Sequence, residues 1–152
     1  MEKLLGTTRL LMVDDNPIDR SLFARALKQS GVENEIQVFE NGGKLIEYLR
    51  GNLSLLNHGQ LDYHPFLIFL DLNMPVMDGR ETLKVIKTDS RLKRIPIVVL
   101  TGSTLSDDID GSYQEGANTV FAKPTYFNEM VALMDSVKSY WLQKAELPFS
   151  LA

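Results

Sequence analysis

The sequence contains no cysteine, which excludes disulfides, thiolate metal sites and thiol nucleophiles together. No apolar run approaches the ~20 residues that a membrane-crossing helix needs. The start, Met1-Glu2-Lys3-Leu4-Leu5-Gly6, carries an acid and too short an apolar stretch for a secretory signal. These absences point to the cytosol and away from a membrane. Positive charge is not in excess: 16 Lys and Arg stand against 20 Asp and Glu, a net −4, so nothing recommends nucleic acid as a direct partner. Histidine is scarce, and His58 and His64 fall in one irregular stretch with no second ligand set. Asn52-Leu53-Ser54 has the form of a glycosylation acceptor, but a cysteine-free chain without a signal has no route to that modification. Repeats, low-complexity tracts and linkers are also missing.

What is present is an alternation of two periods. A chain of 152 residues suits one domain with a sizeable core, expected over 1–152 with the folded part at about 9–143 and a tail at 144–152. Arg9 to Val13, Glu35 to Phe39, Phe66 to Leu70, Pro96 to Leu100 and Thr119 to Ala122 read as strands. The run Phe66-Leu67-Ile68-Phe69-Leu70 is apolar throughout, as expected when both faces of a sheet are covered. Between them lie helical periods. The first opens at Pro17 and stops at Gly31; others cover Gly43 to Arg50, Gly79 to Asp89 and, weakly, Leu105 to Glu115 around Gly111. The longest helix is expected over Tyr126 to Lys144, with Phe127, Met130, Val131, Met134, Val137 and Trp141 on its apolar stripe. Residues 51–65 form a loop longer than most connections. Five strands alternating with five helices predict an α/β doubly wound parallel sheet with right-handed crossovers.

Chemistry gathers at the strand ends. The first strand ends in Asp14-Asp15, the third in Asp71, the fourth in Thr101-Gly102 and the fifth in Lys123-Pro124. Ligands in open α/β sheets bind outside the carboxyl ends of the strands, so three carboxylates, a hydroxyl and a lysine there suit a divalent cation and a phosphoryl group. Taken singly these residues are ordinary. Asp15 or Asn16 could simply cap the helix at Pro17, and a strand-ending Thr or Lys is usually just solvated. Asp71-Leu72-Asn73 also begins like a calcium loop, but the sixth position, which needs glycine, is Val76.

As a set, the five positions on four strand ends resemble the receiver domain of two-component response regulators, over nearly the whole chain. The long loop before the third strand, the run Asp71-Leu72-Asn73-Met74-Pro75 and the tail look most like the small regulators paired with bacterial phytochromes. The resemblance implies a flavodoxin-like (βα)5 fold with strand order 2-1-3-4-5. It implies that Asp71 accepts a phosphoryl group from a sensor histidine kinase, possibly a bacterial phytochrome. It makes the chain a phosphoacceptor rather than an enzyme with small substrates. Mg²⁺ would be held by Asp14, Asp15, Asp71 and the backbone carbonyl of Asn73, with Asp15 the closer ligand and Asp14 acting partly through water. Lys123 would pair with a phosphoryl oxygen, aimed by a cis bond before Pro124, and Thr101 would offer its hydroxyl. Without a cation, three clustered carboxylates would repel one another and resist full ionisation.

The sequence departs from the family at Val120, where many receivers carry a Tyr or Phe that turns inward on phosphorylation; here Phe121 stands beside it, pointing to the opposite face. Two rival readings remain at this level. A phosphatase of the haloacid dehalogenase type wants a second Asp two residues after the nucleophile, where Asn73 stands. A structural dimeric module with a vestigial pocket would not be expected to keep the full residue set. The chain ends soon after the last helix, so output is expected to pass through protein partners. A homodimer is expected through that helix, with Tyr126, Leu133 and Tyr140 facing outward beside Leu105, Ile109 and Tyr113, and with Leu147 and Phe149 from the tail.

Overall fold

The computed structural model describes residues 8–52, 65–72, 74, 78–102 and 106–148. Strands β1 (Arg9–Val13), β2 (Ile36–Phe39), β3 (Phe66–Asp71), β4 (Ile97–Thr101) and β5 (Thr119–Ala122) pair in parallel in the order β2-β1-β3-β4-β5. Helices α1 (Pro17–Gln29), α2 (Gly42–Gly51), α3 (Gly79–Thr88), α4 (Ser106–Gln114) and α5 (Phe127–Val137) connect and follow them. This is the doubly wound sheet expected from the alternation, in the flavodoxin-like strand order that the receiver resemblance implies.

Strand alternation divides the core in two. Leu11, Val13, Ile68, Leu70, Ile97 and Val99 meet α2 and α3 through Leu45, Leu49, Leu83 and Ile86. Leu10, Met12, Leu67, Phe69, Val98 and Leu100 face the other way, onto Phe23, Ala26 and Leu27 of α1 and Met134 and Val137 of α5. Phe23 meets Phe69 edge-on at 4.9 Å in the middle of this second layer. Each large side chain buried here contributes roughly 1.5–3 kcal/mol over an exposed one. Val120 joins the first layer and Phe121 the second, on opposite faces as their adjacency requires.

Helix α1 is capped by Asn16, the second of the two candidates, whose side chain accepts from the backbone N–H groups of Ile18 (2.9 Å) and Asp19 (3.2 Å). Past the other end of α1, Gly31 has φ +83°, a left-handed conformation that favours glycine. Gly111 does not break α4; it is buried because the Arg80 guanidinium of α3 lies where a Cβ would stand.

The C-terminal helix departs from expectation. Regular α geometry stops at Val137, and Lys138–Leu142 form a π-helical turn. The wider turn, with the Ala145 N–H donating to the Tyr140 carbonyl at 2.7 Å, advances the buried face by one residue. Leu142 is therefore buried, while Trp141, expected on the stripe, is half-buried and edge-on to the exposed Tyr140. The outward stripe also changes. Leu133 packs against the α1–α5 layer, and Leu147 is buried at 7% exposure. Leu105 and Phe149 lie outside the described residues.

A lysine ties three elements below the sheet. Lys87 of α3 donates to the carbonyls of Ile95 (2.7 Å) and Lys93 (3.1 Å) and to Asn118 Oδ1 (3.1 Å). Burial among these neutral oxygens pushes its pKa down from 10.5 to about 8. The folded protein thus holds less proton than the unfolded chain between those values, and the cost of the buried charge fades as pH rises through them. The stability of the wild type relative to Lys87→Met should therefore climb from about pH 8 to 10.5 in thermal melts, and a constant difference would contradict this.

Candidate functional site

The parity of the strands brings the chemistry together. Asp14, Asp71 and Lys123 each stand two residues beyond a side chain of the α1–α5 layer, namely Met12, Phe69 and Phe121. Val13 is level with Leu70 in the sheet, so Asp14 and Asp71 follow side by side at the ends of adjacent strands. Both are buried, at 0% and 6% exposure, while Asp15 is exposed. Oxygens of Asp14, Asp15 and Asp71 lie within 4.8 Å of one another. Lys123 crosses from the end of β5 to place Nζ 2.9 Å from Asp14 Oδ2, 3.1 Å from Asp19 Oδ2 and 3.6 Å from Asp71 Oδ1. It does so across a trans Lys123–Pro124 bond, not the cis bond expected; four flexible side-chain carbons are reach enough.

Thr101 ends β4 at 1% exposure, one residue past the Leu100 that pairs with Asp71. Its carbonyl accepts from the Lys123 backbone N–H at 2.7 Å, which fastens the end of β5 to that of β4. Among the described residues, nothing lies within 4 Å of where a Cβ on Gly102 would stand. Asn73 lies outside the described residues.

The surrounding loops hold these groups tightly. The Asn16 N–H donates to Asp14 Oδ1 at 2.9 Å, and the Arg20 guanidinium donates to the Asp14 carbonyl at 2.8 Å. Gly79 starts α3 directly against β3: its N–H donates to the Leu72 carbonyl at 2.9 Å, and a Cβ there would overlap the Asp71 carbonyl. Asp78, just before it, caps α3 through the Glu81 N–H at 2.8 Å.

Burial alone would pull the Lys123 pKa down, but the hydrogen bond it donates to Asp14, the charges of Asp71 and Asp14 and the hydrogen bond it donates to Asp19 outweigh it and hold the lysine above its usual range. Three carboxylates thus converge on one ammonium with Asp15 beside them, and the pocket is short of positive charge. Hard, closely spaced carboxylate oxygens are the donor set that a small divalent cation takes, and the residues present fit such an ion. Asp19 was not evident as a member of this group from the sequence. Its only signal is its place in the first turn of α1, five residues after Asp14.

The profile of the "Response regulator receiver domain" family matches residues 10–135, most of the chain. The chain belongs to that family. Among its relatives is the response regulator Rcp1 of Synechocystis sp. (strain ATCC 27184 / PCC 6803 / Kazusa), 34% identical over 139 residues that cover 91% of this chain and 92% of Rcp1. The probable methanogenesis regulatory protein FilR2 of Methanothrix harundinacea (strain 6Ac) is 35% identical over 88% of this chain and 83% of its own length. Among solved structures, the phosphorylated cyanobacterial phytochrome response regulator RcpA superposes with a TM-score of 0.79 at 35% identity, covering 97% of this chain and 99% of RcpA. The Mn²⁺-bound form of Rcp1 gives 0.76 at 34% identity over 92% and 98% of the two chains. A receiver domain takes phosphate from histidine kinases and is a phosphoacceptor, not a turnover enzyme. Receivers bind a divalent metal through an acidic pocket, and Asp14, Asp15 and Asp71 form one here. The family leaves no room for the phosphatase reading. No helix among the described residues is long and apolar enough to cross a membrane.

Proposed function

We propose that Asp71 accepts a phosphoryl group from the phosphohistidine of a sensor kinase, of the phytochrome type, and that the chain signals through protein partners. A carboxylate oxygen of Asp71 attacks phosphorus; the new O–P bond forms as the N–P bond breaks, and its electron pair returns to the imidazole. Asp14, Asp15, Asp71 and the Asn73 carbonyl would hold Mg²⁺, which when bound neutralises charge on the phosphoryl oxygens. Lys123 supplies a second positive charge to those oxygens, and the Thr101 hydroxyl donates to another. Buried Asp14, packed against Lys123, keeps the lysine head group at the strand ends. The observation that carries this reading is the Lys123 ammonium 3.6 Å from the buried Asp71 carboxylate, beside two more acids. The phytochrome-type kinase is supported by the likeness to Rcp1 and to RcpA, a phytochrome response regulator. Timed transfer from purified ³²P-labelled histidine kinases tests it: a phytochrome-type kinase should label the chain within seconds to minutes and others far more slowly. Equal slow transfer from all of them would overturn the pairing.

The same reading includes a homodimer through the C-terminal helix. It is supported by Tyr126 at 65% exposure, Tyr140 at 58% and Tyr113 at 49%, three large rings on α4 and the C-terminal helical region. A stable symmetric dimer would bury ~800 Å² per partner. In sedimentation, the wild type should form dimers at micromolar concentration and Tyr140→Glu should weaken them at least tenfold. A wild type that stays monomeric at high micromolar concentration, with or without phosphate, would rule the dimer out.

A further inference from the structure

We propose that Asp19 is a positioning residue for Lys123, holding the ammonium off Asp71 in the resting state and so setting how readily the phosphoryl group is taken up. This rests on the reading of Asp71 as the phosphoacceptor. The geometry is direct. Lys123 Nζ stands 2.9 Å from Asp14 and 3.1 Å from Asp19, both hydrogen-bond distances, but 3.6 Å from Asp71, which is beyond one. The lysine is drawn toward α1, away from the carboxylate it is to assist. Asp14 cannot be the adjustable member: it is fully buried and its Oδ1 is engaged by the Asn16 N–H. Asp19 can be, because its side chain is 41% exposed and rehydrates readily when the lysine leaves.

Two effects then act in one direction. A phosphoryl group on Asp71 must compete with Asp19 for the ammonium, since the Asp19 contact is shorter than the Asp71 contact. The carboxylate of Asp19 also adds negative charge beside the path of an incoming phosphoryl dianion. Phosphorylation would move Lys123 from Asp19 to the phosphoryl oxygens and break a tie between the first turn of α1 and the end of β5. With valine at 120 in place of a ring, this exchange couples phosphate to the α1 side of the domain.

The test is binding of beryllofluoride, a stable phosphoryl mimic, with saturating Mg²⁺, read by ¹⁹F NMR. Asp19→Asn should bind it roughly fivefold more tightly than the wild type, the worth of one partly exposed ion pair. Asp19→Glu, which keeps the charge, should stay near the wild type. In a Lys123→Ala background, Asp19→Asn should lose most of its effect, which a merely structural role would not do. Unchanged or weaker binding in Asp19→Asn with an intact melting transition overturns the inference, as does an equal gain with and without Lys123. If Asp19→Asn melts early, Asp19→Ser in the same cycle decides by the same criteria. Failure of the wild type itself to bind, with Asp71→Asn behaving identically, overturns instead the phosphoacceptor reading on which the inference rests.

Discussion

Asp71→Asn should take up no phosphoryl group from acetyl phosphate with Mg²⁺, where the wild type labels to about one phosphate per chain. The amide has no anionic oxygen to attack phosphorus, and it removes one of the clustered carboxylates. The fold should survive, because Asn is isosteric and the substitution relieves repulsion among Asp14, Asp15 and Asp71. Lys123 remains fastened by Asp14 and Asp19. Labelling is measured with ³²P-acetyl phosphate and folding by a thermal melt. Full labelling of a folded Asp71→Asn would place the phosphate elsewhere.

Lys123→Ala should behave differently, still accepting phosphate but responding poorly to it. The nucleophile and the acidic pocket remain, so chemistry continues at a reduced rate. What is lost is the group proposed to turn phosphate charge into movement at the end of β5. Driving a switch from 1:99 to 99:1 takes ~5.5 kcal/mol of differential binding. One charge-assisted hydrogen bond supplies about 1.5–3 kcal/mol of that, so its removal leaves the switch largely off. The measurement is the phosphate-induced change in amide NMR shifts around β5 and α1, compared with the wild type at equal phosphate occupancy. A full-sized change in Lys123→Ala would show that the lysine does not carry the response.

Much of this was legible in the sequence because strands buried on both faces leave unbroken apolar runs. Phe66 to Leu70 and Ile97 to Leu100 are such runs, and the acids and the lysine mark where each strand leaves the core. Once the strand order is known, two-residue parity places Asp14, Asp71 and Lys123 together. Other features depend on three-dimensional facts that periodicity does not carry. Asp19 enters the pocket because the flexible stem of Lys123 comes to rest between α1 and β3. Leu142 joins the core, with Trp141 only partly buried against it, because one wide turn shifts the helical register. Leu133 packs against the α1–α5 layer and Leu147 is buried, which a stripe on one helix cannot reveal.

The central claim is that Asp71 carries a metal-dependent acyl phosphate. Its most direct test is to treat the wild type with acetyl phosphate and Mg²⁺, reduce the acyl phosphate with borohydride, and map the reduced residue by peptide mass spectrometry, with a parallel arm in EDTA. The expected result is a single mark at Asp71 that disappears in EDTA. A mark at Asp14, Asp15 or any other residue, or one at Asp71 that persists in EDTA, would contradict the account.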